Sequence, residues 1–226
     1  MRILGKILFG VAVGLLVMAP HAAAAVSVNL DVLWNPNPDD SRQVALHVSN
    51  AVFPIPREEV GQVFSRIPNQ YDDYPVLAFV CHYGHVSPEI VWEYKSKGHK
   101  WAVVMAHFGI DPDMLFVALP RDPGPPYGNA YGYWKKQGRA IPVDRISNDD
   151  VRFWVRLQTT AAYMAVQPAR VMEWRDSGKQ FDQISQARYR EKHGKGAKPQ
   201  EAGFSGPGNG KGNGKAKGHD NGKPRN

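Results

Sequence analysis

Two stretches of this 226-residue chain, eighty residues apart, follow one pattern, and that pattern limits the folds open to it more than any other feature. YGHVSPEIVWEYKSKGHKWAVV, from Tyr83, aligns without a gap to YMAVQPARVMEWRDSGKQFDQI, from Tyr163. Identities fall at Tyr83/Tyr163, Val86/Val166, Pro88/Pro168, Val91/Val171, Glu93/Glu173 and Gly98/Gly178, with aromatic matches at Tyr94/Trp174 and Trp101/Phe181. The residue types are those a helical hairpin needs. Proline suits the first helical position, where its missing donor is not used. Glycine ten residues later ends the helix in a left-handed conformation, and the aromatics fall on a helical face. HFGIDPDMLF, from His107, is a weaker echo in which Pro112 starts a helix and Asp111 caps it. Each copy reads as helix, turn, short helix, glycine turn, helix. The expected fold class is therefore mainly α, with two related helix-turn-helix units burying their faces on one another. The competing reading is chance likeness between two amphipathic hairpins.

Outside the repeat, VSVNLDV over 26–32 alternates apolar and polar residues and predicts a short half-buried strand, for which the chain offers no second strand of similar quality. Helix starts are marked by paired acids. Asp39 and Asp40 open a segment to about Ala51, Glu58 and Glu59 after Pro56 open another to about Ile67, and Asp72 and Asp73 open a third that ends at Gly84. Asp149 and Asp150 repeat the pattern. Paired carboxylates invite a general acid and base reading, but acids in a first turn satisfy free amides and the helix dipole, and capping is the preferred reading. PRDPGPPYGNAYGYWKKQGRAIP, over 120–142, begins as a loop, after which Tyr127, Tyr131 and Trp134 fall at helical spacing before Gly138. The expected organisation is a first unit over 26–119, a linker over 120–146, a second unit over 147–193 and a Gly, Lys and Asn tail over 194–226, whose composition predicts disorder.

The N-terminus reads as a cleavable signal peptide over 1–25. Arg2 and Lys6 precede an apolar stretch over 7–19, and PHAAAA supplies small residues for cleavage, so the mature chain is expected to start near Val26. The apolar stretch is shorter than the roughly 20 residues of a membrane-spanning helix. Expected localisation is periplasmic or extracellular, with no membrane span after cleavage. The formal charge of +7 divides unevenly: 26–193 hold 19 basic and 19 acidic side chains, whereas 194–226 hold seven basic against Glu201 and Asp220. Attraction to an anionic envelope polymer or polysaccharide is thus assigned to the tail. Cys81 is the only cysteine, so no internal disulfide is available. It sits in the apolar run VLAFVCHYG, where a buried small hydrophobe is the favoured reading.

Four kinds of chemistry compete with plain packing. Cys81, His82 and His85 in CHYGH are the metal candidates, with His99 or His107 as completing ligands, although the spacing matches no recognised zinc pattern and a helix end at Gly84 puts His85 off the face of Cys81. No cofactor is otherwise implied. The hairpins resemble the helix-turn-helix of DNA-binding proteins, but a neutral body lacks the basic face that phosphate binding requires, which argues against specific DNA recognition. Tyr127, Tyr131, Tyr133 and Trp134 form the candidate ligand surface, suited to stacking on sugar rings or extended peptide. Hydrophobic glue joining the two units is the preferred reading of the same rings. A wall hydrolase would need a carboxylic acid in a cleft. The repeated acids are Glu93 and Glu173, yet Glu93 lies four residues before Lys97 and reads as a surface pair. No serine, cysteine and histidine pattern, phosphate loop or dinucleotide fingerprint is found.

The YGxxxPxxVxEW-like units, the string DPGPPYGNAYGYWKK and the GNGKGNGK tail together resemble small exported bacterial proteins of no assigned function. The resemblance covers most of the mature chain and implies localisation rather than chemistry. An exported, envelope-associated or secreted binding or structural protein is the expected function, and a metal-binding protein or cell-wall hydrolase near Cys81, His85 and Glu93 is the alternative.

Overall fold

The structure is a computed structural model that describes residues 29–124, 127–137 and 141–194. The signal peptide expected over 1–25 and, from residue 195, the tail expected over 194–226 lie outside the described residues. Nine α-helices are found there: α1 Ser41–Val52, α2 Arg57–Val63, α3 Gln70–Gly84, α4 Pro88–Ser96, α5 Trp101–His107, α6 Gly128–Gln137, α7 Asn148–Met164, α8 Pro168–Asp176 and α9 Phe181–His193. None is long and apolar enough to cross a membrane.

The strand expected over 26–32 is corrected where it is described. Leu30–Leu33 forms a 3-10 turn, and 26–28 fall outside the described residues. The Asn29 side chain takes the Asp31 N–H at 3.0 Å, and the Leu33 carbonyl meets His47 Nδ1 at 3.0 Å. Those contacts satisfy a backbone that a lone strand would leave unpaired. A strand would also send Val32 and Leu33 to opposite faces, whereas both are buried.

Helix starts follow the acids and prolines. Asp40 caps α1 by accepting from the N–H groups of Arg42 and Gln43. Pro88 and Pro168 open α4 and α8, and Ser147 and Asp150 form a reciprocal capping box on α7. α3 starts two residues before Asp72, leaving Pro75 inside the helix. One continuous apolar cluster runs from Val32 to Ile184, with α3 and α7 packed together and α1 and α9 closing over them.

Local geometry recurs at the spacing of eighty. His85 and Ala165 end α3 and α7 with φ of 50° and 55°, and the N–H groups of Val86 and Val166 bond back to the carbonyls of Cys81 and Ala161. Gly98 and Gly178 follow α4 and α8 with φ of 93° and 91°. The Lys95 ammonium lies 5.3 Å over the Trp101 ring, and the Arg175 guanidinium lies 4.5 Å over Phe181. The arms differ in length: α5 stops at His107, whereas α9 runs to His193.

Candidate functional site

A cavity of about 650 Å3 opens between α1, α3, α7 and α9, with Tyr127, just ahead of α6, in its lining. That volume lies within the roughly 300–1,000 Å3 usual for small-molecule sites. Two arginines of α7 build its floor. Arg152 and Arg156 are four residues apart, so one helical face carries both. Arg152 donates to Asp73 Oδ1 from Nε at 3.1 Å and Nη2 at 2.7 Å, and to Asp149 from Nη1 at 3.0 Å. Arg156 pairs with Asp72 and donates to the Tyr71 carbonyl at 2.9 Å.

Asp72 and Asp73, in the first turn of α3, are thus taken up by the arginines of α7. Asp73 is 7% exposed, and its Oδ1 also accepts from Trp101 Nε1 at 2.9 Å, so one buried carboxylate ties α3 to α5 and α7. The expectation of capping holds for Asp40 and Asp150. For Asp73 it fails, because a buried carboxylate needs cations and N–H donors rather than solvent.

The remaining walls carry Arg42 from α1, Arg175 from α8, and Phe181, Asp182 and Ser185 from α9. The Arg42 guanidinium lies 5.5 Å over the Tyr71 ring, and burial raises the Tyr71 phenol above its ordinary range, which keeps it protonated. Asp182 accepts from Ser41 Oγ at 2.8 Å, joining α9 to the start of α1.

Of the aromatic candidates, only Tyr127 lines this cleft, half-buried and stacked 4.3 Å from Phe153. Tyr131 is 1% exposed, accepts the Leu119 N–H at 2.8 Å and stacks on Trp154 at 5.0 Å. Trp134 stacks on Phe116 at 5.7 Å, and Tyr133 lies beneath Arg145 at 5.0 Å. Of the four, two therefore stack on core rings, one lies under a cation and one is on a cleft wall. Bulky rings following a loop bury more apolar area by packing onto α7 than by facing water.

Cys81, His82 and His85 do come together, around an open depression of about 360 Å3 that also takes in Glu59 and the prolines at 54, 56 and 88. Burial pushes the Cys81 thiol up to about 12, so it is a weak ligand and nucleophile. His82 packs against Phe53 at 5.3 Å, and His85 is exposed at its left-handed helix end. His99 and His107, the completing ligands, stack on Tyr94 at 4.2 and 3.9 Å. Among the described residues, no group of three or more His, Cys, Asp or Glu is placed to hold a metal. Glu93 pairs with Lys97 and Glu173 with Arg170, both in exposed positions.

The cleft arginines are absent from the sequence-based candidates. Their signal lies in VRFWVRLQTTAAY, where Arg152 and Arg156 interrupt an apolar helix on one face, a pattern that marks either a buried ion pair or a polar site. Comparison with known proteins gives no match: no family model, no curated sequence and no solved structure is similar to this chain.

Proposed function

We propose that this is an exported binding protein, released near Val26, whose helical body takes a small ligand between α1, α3, α7 and α9. The observation that carries the reading is the cleft itself. Its volume of about 650 Å3 is lined by charged, hydroxyl and aromatic side chains on rigid helices, and convergent polar groups in a concavity of that size are what orient a small molecule. The basic tail adds a separate, salt-sensitive attraction to anionic envelope polymers. The matched helix ends and cation-on-ring contacts support two copies of one helical unit, with the second copy supplying Arg175 and Phe181 to the cleft wall. On this reading the protein is not an enzyme, and the acids that flank the cleft hold arginines in place.

The test is a thermal-shift screen of the full mature protein against neutral sugars, sugar acids, amino acids and short peptides. At least one class should raise the unfolding midpoint, and Ala45→Trp, which fills the cleft from α1, should abolish the rise. A screen in which no class shifts the midpoint, or a shift that Ala45→Trp leaves intact, overturns the reading.

A further inference from the structure

We infer that the cleft takes a monoanionic, polyhydroxylated ring: a sugar acid, either free or at the end of an acidic polysaccharide. This rests on the binding-protein reading above and names its ligand. Charge selects the anion. Four arginines, Arg42, Arg152, Arg156 and Arg175, face three aspartates, Asp72, Asp149 and Asp182, with no other formally charged side chain in the lining. Asp73, behind the lining, also takes Arg152, so these groups balance to zero, and the anion is selected by the arginines that no carboxylate engages rather than by net charge. Two of the arginines are already committed, Arg152 to Asp73 and Asp149, and Arg156 to Asp72. Arg42 and Arg175 have no carboxylate partner among the described residues. Arg175 bonds to the Gln180 side chain, while its Nε is buried without a hydrogen-bond partner. A guanidinium already held over a ring loses little freedom on taking a carboxylate, and its planar fork fits that group.

Hydroxyls select the rest of the ligand. Ser49 and Thr159 bond back to the carbonyls of Ala45 and Val155, as helix hydroxyls commonly do. Thr160 and Ser185 behave differently. They line the cleft, are 3% and 2% exposed, and make no hydrogen bond within the described chain. Neither hydroxyl oxygen is sealed from solvent, so both open onto the cleft, where each can donate and accept, which a polyhydroxylated ligand matches. Tyr71 and Tyr127 add aromatic surface for the ring.

The experiment is calorimetric titration of the full mature protein with glucuronate, its uncharged methyl ester and a glucuronate trimer. Glucuronate should bind, and the ester should bind about tenfold more weakly. Arg42→Gln and Arg175→Gln should each weaken the acid by about tenfold and the ester by clearly less. Thr160→Val should weaken both. Each variant is compared with its conservative partner, Arg42→Lys, Arg175→Lys or Thr160→Ser, at an unchanged unfolding midpoint. A trimer that binds more tightly than the monomer identifies the polysaccharide as the source, and equal affinity identifies the free sugar acid. Equal binding of acid and ester, or a midpoint rise with amino acids or neutral sugars alone, overturns the ligand class and leaves the binding-protein reading standing. If no class of small molecule binds, both fall.

Discussion

Arg156 of α7 donates from Nη2 to the main-chain carbonyl of Tyr71 in α3 at 2.9 Å, and that carbonyl is the one Pro75 cannot reach. In a regular helix the N–H of residue 75 would bond to the carbonyl of residue 71, but proline has no N–H. The guanidinium fills the gap from a neighbouring helix. Arg156→Ala should cost about 2 kcal/mol in urea unfolding, because it strips a half-buried carbonyl and Asp72 of their shared donor. Pro75→Ala restores an internal donor, so the double variant should recover about 1 kcal/mol relative to the sum of the single changes. Strictly additive costs would show that the two residues do not share the carbonyl.

Asp73 should be the most sensitive carboxylate in the fold. It is 7% exposed, and its Oδ1 collects Trp101 Nε1 and two nitrogens of Arg152. Asp73→Asn leaves the guanidinium without its counter-charge and should cost about 3 kcal/mol. Asp149 contacts the same arginine, but its side chain is 66% exposed, so Asp149→Asn should cost less than about 0.5 kcal/mol. Denaturant melts of both variants decide the order, and comparable losses would contradict it.

The same contacts show what a single chain discloses. Helix starts were legible because they are local chemistry: Asp40, Pro88, Ser147 and Pro168 act on amides within one turn. Helix α6 was legible from the spacing of Tyr127, Tyr131 and Trp134, although spacing alone does not separate a buried face from an exposed one. Asp73 was misread as a cap because its partners, Trp101 and Arg152, are 28 and 79 residues away. The cleft was invisible for the same reason, since its walls come from helices at both ends of the chain. The turn at Leu30–Leu33 was lost to a two-residue alternation, because a 3-10 segment repeats every three residues and four residues are too few to show that period.

Stability should fall on both sides of neutrality. Burial lowers the pKa of His47 below its ordinary 6.5. Below that pH the unfolded chain takes up a proton that the folded ring refuses, so stability falls as pH falls. Burial raises the Cys81 thiol from 9.0 to about 12. Between those values the unfolded chain releases a proton that the fold retains, so stability falls as pH rises. Urea midpoints measured from pH 5 to 10 should show both slopes. Cys81→Ala should flatten the alkaline slope, and an unchanged slope would assign it elsewhere, with the raised Tyr163 phenol as the next candidate.

If tail charge sets attraction to anionic polymers, replacing the seven basic residues from Lys195 to Arg225 by glutamine should abolish retention on an anionic polysaccharide column at low salt. Unfolding behaviour should not change. Retention that survives in this variant would move the attraction onto the neutral body.

The left-handed positions offer a comparison within one molecule. Gly98 and Gly178 have φ of 93° and 91°, and an added Cβ would meet nothing within 4 Å at either site. Any cost of Gly98→Ala or Gly178→Ala is therefore backbone strain, about 1 kcal/mol each and nearly equal in thermal or urea melts. His85 and Ala165 occupy left-handed φ values of 50° and 55° without being glycine. His85→Gly and Ala165→Gly relieve that strain at the price of a looser unfolded chain, and a net gain of about 0.5 kcal/mol is expected at both. If the two turns are copies of one design, the members of each pair should respond alike. A clear loss at one arm beside a gain at the other would mean that similar backbone angles are held by different surroundings, and that the likeness ends at local geometry.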